Sequence, residues 1–280
     1  MAVATGAALR FLLALILVAL LGLAASVAIM SFSQADMLFP THAVPQAGPL
    51  PPDAERLELR SADGDQLYGV HLRPSVKSDA PSTLILGFGG NAWNGQDVAE
   101  YLHHAFPAAD VVAFHYRGYA PSTGRPSAQA LLADAPLVHD LAVGQVKTDR
   151  VVAVGFSIGS GVAASLARQR KLDGLILVTP FDSLKSVAGD LLPWFPVGPF
   201  FQHEIAAADE LRNNPVPVAI LAGERDDIVL PTRTGALRRA VPNLVFARTI
   251  AGAGHNDIYD RSEFRAGLDE ALQSVISSKK

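Results

Sequence analysis

The stretch "DRVVAVGFSIGSGVAASLARQR", residues 149–170, decides how this chain folds. A run of apolar, mostly β-branched residues leads directly into Gly155-Phe156-Ser157-Ile158-Gly159. The run "RVVAVGF" is typical of a strand buried on both faces, and the small residues after it favour a helix over Ile158–Arg170. The sequence therefore places a serine, between two glycines, at the point where a strand ends and a helix begins.

The Gly-x-Ser-x-Gly spacing has a chemical consequence. A serine on a strained strand-to-helix turn keeps its hydroxyl exposed, and the flanking glycines remove side chains that would collide with the sheet and the helix. The backbone N–H of Ile158 then points to where a negative oxygen would develop, at the positive end of the helix. A bare pentapeptide of this type also arises by chance, so its position after a buried strand carries the argument.

A serine nucleophile needs a base and an acid, and on such a sheet they follow in the order serine, acid, histidine. In "VPVAILAGERDDIVLP" Asp226 comes three residues after Gly223, and "TIAGAGHNDIYD" places His255 in a glycine-rich loop. Both follow predicted strands, and so we expect both at the carboxyl edge of the sheet. His255 would take the proton from Ser157, and Asp226 would orient the imidazole.

Other assignments stay open at this stage. Asp227 could be the acid while Asp226 caps the turn, and Asp182, after "GLILVTP", is a third candidate. Glu224 lies nearer the strand end and should reach less well. His255 could also be an ordinary histidine of a surface loop.

A second oxyanion donor should come from the loop "GGNAWNG" that follows the predicted strand "TLILGF". Glycines there bring backbone N–H groups close to a substrate, and we assign the donor to Asn91. The alternative is that Gly89 and Gly90 only form the turn into the next helix.

The rest of the chain alternates between strand and helix patterns. Two segments that flank Asp63-Gly64, "ERLELRS" and "QLYGVHLRP", predict an antiparallel hairpin. Six apolar runs predict buried strands: "TLILGF", "DVVAFHY", "RVVAVGF", "GLILVTP", "VPVAILAG" and "LVFARTI". The predicted helices include Ala128–Val146, Ile158–Arg170, Thr232–Ala240 and Asp257–Ile276. This alternation indicates an α/β fold with a mostly parallel sheet of about eight strands flanked by helices.

The connection 182–214 is long enough to be an insertion, and we expect it to form a short cap. It carries Trp194, Phe195, Phe200 and Phe201 among prolines. These aromatic side chains would either cover the acyl or leaving-group pocket as a lid or fill core beside the sheet.

The N-terminal residues 1–32 are more apolar than the rest of the chain. Phe11 to Met30 is uncharged and long enough to cross the hydrocarbon core as a helix. Arg10 favours a cytoplasmic N-terminus, which places the rest outside the cytoplasm. The alternative is a cleaved signal peptide, with "LAASVA" as the cleavage region and a secreted or periplasmic product. Residues 33–55 are proline-rich and predict an extended tether to a catalytic domain over 56–280.

Composition excludes several classes of protein. The chain has 280 residues, a formal net charge of −4 and no cysteine. A chain of this length can bury one sizeable hydrophobic core. The lack of cysteine excludes disulfides and a thiol nucleophile. Because the net charge is negative, nucleic acid is not expected as a partner. The eight histidines show no ligand spacing, so we expect no dedicated metal site.

Together these motifs resemble the α/β-hydrolase superfamily. The chain looks most like the membrane-anchored serine hydrolases related to the α/β-hydrolase-domain depalmitoylases and to the serine-aminopeptidase and monoacylglycerol-lipase-like group. Besides 155–159, the likeness rests on "FHYRGYAPSTGRPS", "GERDDIV" and "GAGHND", and it extends from about Arg56 to the C-terminus. The resemblance implies an α/β-hydrolase fold and an ester, thioester or amide substrate.

Two positions depart from the family pattern. Gly89 in "GFGGNAW" stands where relatives usually carry the histidine of a His-Gly-Asn or His-Gly-Gly loop, which puts the support of the oxyanion loop in doubt. Ala120 in "YRGYAPS" replaces a usual glycine and should only tighten the turn. Arg117 in the same segment is expected to brace loops around the site and not to act in catalysis.

The sequence thus predicts a membrane-tethered serine hydrolase that works through an acyl-enzyme on Ser157 without a cofactor. Its partners would be the membrane, through the N-terminal helix, and a small-molecule acyl substrate, which could be lipid-derived or soluble. The oligomeric state stays open. The alternatives are a non-catalytic binding or scaffold protein of the same fold, and an aminopeptidase-type serine peptidase.

Overall fold

An eight-stranded sheet runs through the protein, whose computed structural model describes residues 2–193 and 197–278. The strands are β1 (Glu55–Arg60), β2 (Gln66–Leu72), β3 (Thr83–Phe88), β4 (Asp110–Phe114), β5 (Arg150–Phe156), β6 (Gly174–Val178), β7 (Val218–Gly223) and β8 (Leu244–Ile250). Their order across the sheet is β1-β2-β4-β3-β5-β6-β7-β8. The pairs β1–β2 and β2–β4 are antiparallel, and the remaining pairs are parallel. The predicted hairpin and the mostly parallel sheet are confirmed.

Helices cover both faces of the sheet. In the described ranges they are α1 (Ala2–Leu38), α2 (Gly95–Ala105), α3 (Ala128–Gln145), α4 (Ile158–Gln169), α5 (Leu184–Leu191), α6 (Val197–Phe200), α7 (Ala207–Leu211), α8 (Pro231–Ala240) and α9 (Ser262–Ser277). Three begin at a side-chain cap, because Asn94, Ser127 and Ser183 each accept a backbone N–H from the first turn of α2, α3 and α5.

The central strands are continuous apolar runs because both of their faces are covered. In β3, Leu84 and Leu86 belong to the hydrophobic core on one side of the sheet and Ile85 to the core on the other, and all three are fully buried. A strand with one solvated face would alternate apolar and polar residues instead.

The helix predicted over Asp257–Ile276 does not begin where the pattern placed it. A short 3₁₀ turn occupies Ile258–Asp260, Arg261 is extended, and α9 starts only at Ser262. The Asp257 carboxylate explains the break, because it accepts the N–H of Gly254 at 2.5 Å and pairs with the Arg261 guanidinium. These bonds hold the start of the segment in a turn that belongs to the His255 loop.

The tether expected over 33–55 is wrong in its first part, since α1 continues to Leu38. The physical reason is that the first proline of this segment is Pro40, so nothing earlier removes a helical N–H. Directly after the helix, Phe39 is only 1% exposed and belongs to the core of the α/β domain. The end of α1 is therefore docked on the domain, not spaced from it.

A side-chain amide fixes this docking. Gln34 donates to the carbonyl oxygen of Phe200 at 2.8 Å and accepts the N–H of Gln202 at 2.9 Å, which joins α1 to the insertion between β6 and β7. Further along, Asn94 donates to the Pro45 carbonyl at 3.2 Å. The proline-rich segment thus lies along the domain surface.

Upstream of this docking, α1 has the length and apolar composition of a membrane span. It is the one helix of the described ranges that does, and its most apolar window is entirely exposed. Leucine, isoleucine and valine side chains project outward along it, as in a helix whose surroundings are hydrocarbon. Twenty residues at 1.5 Å each span about 30 Å, the thickness of a bilayer core.

The described residues of the insertion 182–214 include the three short helices α5, α6 and α7. Of its aromatic residues, Trp194 and Phe195 lie outside the described residues. Phe201 packs against the core, and Phe200 is 42% exposed. Neither lines the cavity at Ser157, so the part of the insertion that flanks this cavity is the apolar face of α5.

Candidate active site

Ser157 stands alone between β5 and α4, in a strained backbone conformation. Its φ is 50° and its ψ is −116°, a region that side-chain-bearing residues rarely adopt. Its N–H donates to the Val178 carbonyl of β6 at 2.9 Å, which holds the turn against the sheet. The half-buried serine is thereby lifted above the carboxyl edge of the strands.

Two glycines make this turn possible. A Cβ on Gly155 would lie 2.3 Å from the carbonyl oxygen of Gly159, and a Cβ on Gly159 would lie 2.2 Å from that of Phe88. Both contacts are with backbone atoms, which cannot rotate away as a side chain can. The glycines therefore let the start of α4 rest directly against the end of β3.

The structure brings the serine, the histidine and the acid together in one line. His255 Nε2 lies 3.0 Å from Ser157 Oγ, although 98 residues separate them, and His255 Nδ1 lies 2.8 Å from Asp226 Oδ2. The other oxygen of Asp226 accepts the backbone N–H groups of Ile228 at 3.0 Å and Val229 at 2.7 Å. Both His255 and Asp226 are buried, so this geometry is held away from water.

The competing carboxylates lie elsewhere. Asp227 and Glu224 are exposed, and Asp182 accepts from the Arg233 guanidinium at 3.4 Å. The carboxylate that contacts His255 is that of Asp226, three residues after Gly223 at the end of β7. Burial of the His255 ring also argues against an ordinary histidine of a surface loop.

A cavity of about 440 Å³ opens over Ser157 and His255. Asn91 and Ile158, the two residues assigned as oxyanion donors, both line it. Most of its remaining wall is apolar and includes Met37, Leu38, Leu184, Val187, Leu191 and Val229. The arrangement offers a reacting carbonyl a polar corner beside the serine and an apolar space for the rest of a substrate.

Two tyrosines hold the loop that lacks the histidine of the family pattern. The Tyr116 hydroxyl donates to the Gly89 carbonyl at 2.9 Å, and the Tyr119 hydroxyl donates to the Asn91 carbonyl. Burial raises the pKa of both hydroxyls, so both remain protonated donors at neutral pH. Sequence reasoning missed this support, although "HYRGYA" places both tyrosines directly after β4.

Met37 and Leu38 were also missed, because they belong to the segment interpreted as a tether. They come from the end of α1 and line the cavity beside Ser157. The signal was available in "ADMLF", where three apolar residues follow the last polar ones before Pro40.

Arg117 has the structural position that the sequence suggested. It is buried, and its guanidinium donates two bonds of 2.7 Å to Asp134 of α3 and one of 2.5 Å to Asp63 of the β1–β2 turn. A bidentate pair of this kind joins the hairpin to the helix layer.

Comparison with known proteins identifies the family of this fold. A model of the family described as "alpha/beta hydrolase fold" matches residues 84–198. The chain is 33% identical over 222 residues to an uncharacterized protein of Mycobacterium tuberculosis, covering 76% of this chain and 78% of that protein. It is 31% identical over 180 residues to the lysophosphatidylserine lipase ABHD12 of Danio rerio, covering 58% of this chain and 47% of that protein.

A solved structure shares the architecture. The Pyrococcus furiosus esterase PF2001 superposes with a TM-score of 0.67 and covers 83% of this chain and 97% of its own. At 17% sequence identity this likeness establishes the fold alone.

We expect Gly159→Ala to lower the melting temperature by several degrees and to reduce any activity of the site. The added Cβ must displace the Phe88 carbonyl, and overpacking of this kind costs roughly 1–3 kcal/mol. Gly144→Ala is the matched control, because a Cβ at that exposed position of α3 meets nothing within 4 Å. Thermal unfolding of the detergent-solubilised chain measures both, and equal melting temperatures would contradict the close contact.

Proposed function

The chain belongs to the α/β-hydrolase superfamily, and on this basis we propose that it is a serine hydrolase that cleaves a carboxylic ester, thioester or amide through an acyl-enzyme on Ser157. The observation that carries the proposal is the unbroken chain of contacts from the Ser157 hydroxyl through His255 to Asp226. An ester is the default substrate, since the cavity is largely apolar and offers few groups to recognise a peptide.

In the first step His255 acts as the general base. Its Nε2 accepts the Ser157 proton as Oγ attacks the substrate carbonyl carbon, and Asp226 stabilises the imidazolium through Nδ1–H. The two backbone bonds to Asp226 keep the carboxylate aimed at the ring, so little reorganisation is needed when the charge appears.

The attack converts the carbonyl oxygen into an oxyanion. Backbone N–H groups of Ile158 and Asn91 would stabilise this charge, the first aided by its place at the start of α4. The tyrosine bonds to the Gly89 and Asn91 carbonyls fix the orientation of the peptide units in this loop.

Collapse of the tetrahedral intermediate breaks the bond to the leaving group. His255 then donates its proton from Nε2 to the departing alcohol, thiol or amine, and the acyl group remains on Ser157. Water enters next, His255 takes one of its protons, and the same steps in reverse order release the carboxylic acid and the free serine.

The altered oxyanion loop, with Gly89 at the histidine position, is the feature in favour of the non-catalytic alternative, and the intact contact between Ser157 and His255 argues against it. A peptidase would use the same steps on an amide. The similar protein ABHD12 of Danio rerio is a lysophosphatidylserine lipase, which favours an ester here.

Membrane anchoring by α1 is part of the proposal. The helix has the length and composition of a span, and Arg10 before it favours a cytoplasmic N-terminus, so the hydrolase domain would face away from the cytoplasm. A cleaved signal peptide would place the same domain in the same compartment without its anchor.

We expect Ser157→Ala to lose at least ~10³-fold in kcat on p-nitrophenyl acetate and all labelling by a fluorophosphonate, because the nucleophile is gone. Asp226→Asn should lose on the order of 10²–10⁴-fold, since the imidazole then carries the wrong tautomer. The neighbouring Asp227→Asn is the matched control and should stay within about twofold of wild type. Folded wild-type protein that resists the fluorophosphonate would refute the enzyme assignment.

Tyr119→Phe should lower kcat about tenfold with little change in KM, since it frees the Asn91 carbonyl without touching the substrate or the triad. Tyr68→Phe, which alters a β2 tyrosine whose ring lies under Arg56, is the control. Steady-state kinetics on the same ester separates kcat from KM. A wild-type kcat in folded Tyr119→Phe would show that this hydrogen bond does not position the loop.

Alkaline phosphatase fused after Lys280 should be active in a bacterial host, and β-galactosidase fused at the same place should be inactive, because the C-terminal domain is predicted outside the cytoplasm. The opposite pair of activities would overturn the orientation. Retention of the fusion in washed membranes separates an anchor from a cleaved signal peptide.

A further inference from the structure

A second cavity of about 170 Å³ adjoins the one at Ser157. It lies between the end of α1 and the cap helix α5, and we call it the anchor groove. Its far end is lined by Met30, Ala188 and Val197, and it shares Met37, Leu184 and Leu191 with the cavity over the serine. The two cavities are therefore neighbours along the side of α1, with these side chains in the walls of both.

The chemistry of the anchor groove suits a hydrocarbon chain. Among the described residues that line it there is no charged side chain, and the one polar side chain is Gln34. Both ends of the Gln34 amide are already bonded, to Phe200 and Gln202 of the cap. A hydrocarbon chain bound in the groove would bury apolar surface, which favours its binding. A polar ligand would find few hydrogen-bond partners there.

The two ends of the anchor groove lie in different places along α1. Met30 is the last residue of the stretch Phe11–Met30, which is long enough to span a bilayer, and Met37 lines the cavity at Ser157. The helical rise from Met30 to Met37, seven steps of 1.5 Å, is roughly 10 Å. One end of the groove lies where α1 would leave the bilayer, and the other end lies at the nucleophile.

Exposed apolar side chains mark the same region. Met37 is 52% exposed and Leu191 is 51% exposed, on facing sides of the groove. Large exposed apolar surfaces on folded proteins indicate contact with a partner or a membrane. Because α1 is held to the cap by Gln34 and to the core by Phe39, the helix is a fixed wall of the groove.

We propose that the anchor groove binds the acyl chain of a bilayer lipid ester, with the chain lying along α1 from Met37 towards Met30 and the ester carbonyl at Ser157. The substrate class is then a long-chain acyl ester that reaches the site from the membrane. The binding stands on the groove itself, and the cleavage rests on the proposed function above.

The test uses the full chain in phosphatidylcholine nanodiscs and a residue that lines only the far part of the groove. Ala188→Trp fills this part, while Gly189→Trp adds the same side chain at the next position of α5, where a Cβ meets nothing within 4 Å. We expect Ala188→Trp to keep p-nitrophenyl acetate hydrolysis within about twofold of wild type and to lose about tenfold or more in kcat/KM on p-nitrophenyl palmitate. Gly189→Trp should match wild type on both esters.

Two outcomes would overturn the proposal: palmitate hydrolysis by Ala188→Trp equal to that of Gly189→Trp, or equal losses on acetate and palmitate.

A failure of the enzyme itself is separate, since wild type would then cleave neither ester. In that case Ser157→Ala is irradiated with palmitic acid that carries a terminal diazirine. Labelling within residues 30–38 that Ala188→Trp abolishes supports the groove, and labelling confined to other segments overturns it.

Discussion

The close approach of two backbone segments underlies the candidate site. The start of α4 lies against the end of β3 because Gly159 presents no side chain to the Phe88 carbonyl. The same contact brings the residue after the serine and the loop after β3 to one cavity. Ser157 and the two residues proposed as oxyanion donors, Ile158 and Asn91, are thus positioned by main-chain packing, which is stiffer than an arrangement of flexible side chains.

The acid and the histidine are fixed in a different way. Asp226 is oriented by two N–H groups of its own turn, and the loop that carries His255 is tied down through Asp257. Each loop therefore has hydrogen bonds of its own in addition to the contact between the two side chains. This division explains how groups so far apart in the chain reach hydrogen-bond distance without a large ordering cost at the moment of reaction.

Much of this arrangement follows from the sequence. Buried parallel strands have a strong signature, and once they are placed, the loops at their carboxyl ends must share one edge of the sheet. Ser157, Asp226 and His255 could be proposed on that ground alone. The break before α9 could not, since it depends on bonds of the Asp257 side chain that no periodicity reveals.

The docking of the end of α1 could not be predicted from the sequence for a similar reason. Its partners in the cap lie 166 and 168 residues further along the chain, and the nearby prolines suggested a tether. The proline density applies from Pro40 onward and gives no information about residues 33–39, which precede it. The tyrosine support of the oxyanion loop was missed because the family pattern drew attention to the absent histidine and not to what could replace it.

Under the proposed anchoring in a bilayer, the continuous α1 has a kinetic consequence. A domain joined to its span by a helix, without a flexible joint, cannot tumble freely, and so its cavity keeps one orientation towards the lipid surface. Encounters between the cavity and lipid molecules are then confined to the plane of the membrane. The rate would follow the mole fraction of substrate among neighbouring lipids, and inert lipid would slow turnover by surface dilution at unchanged bulk concentration.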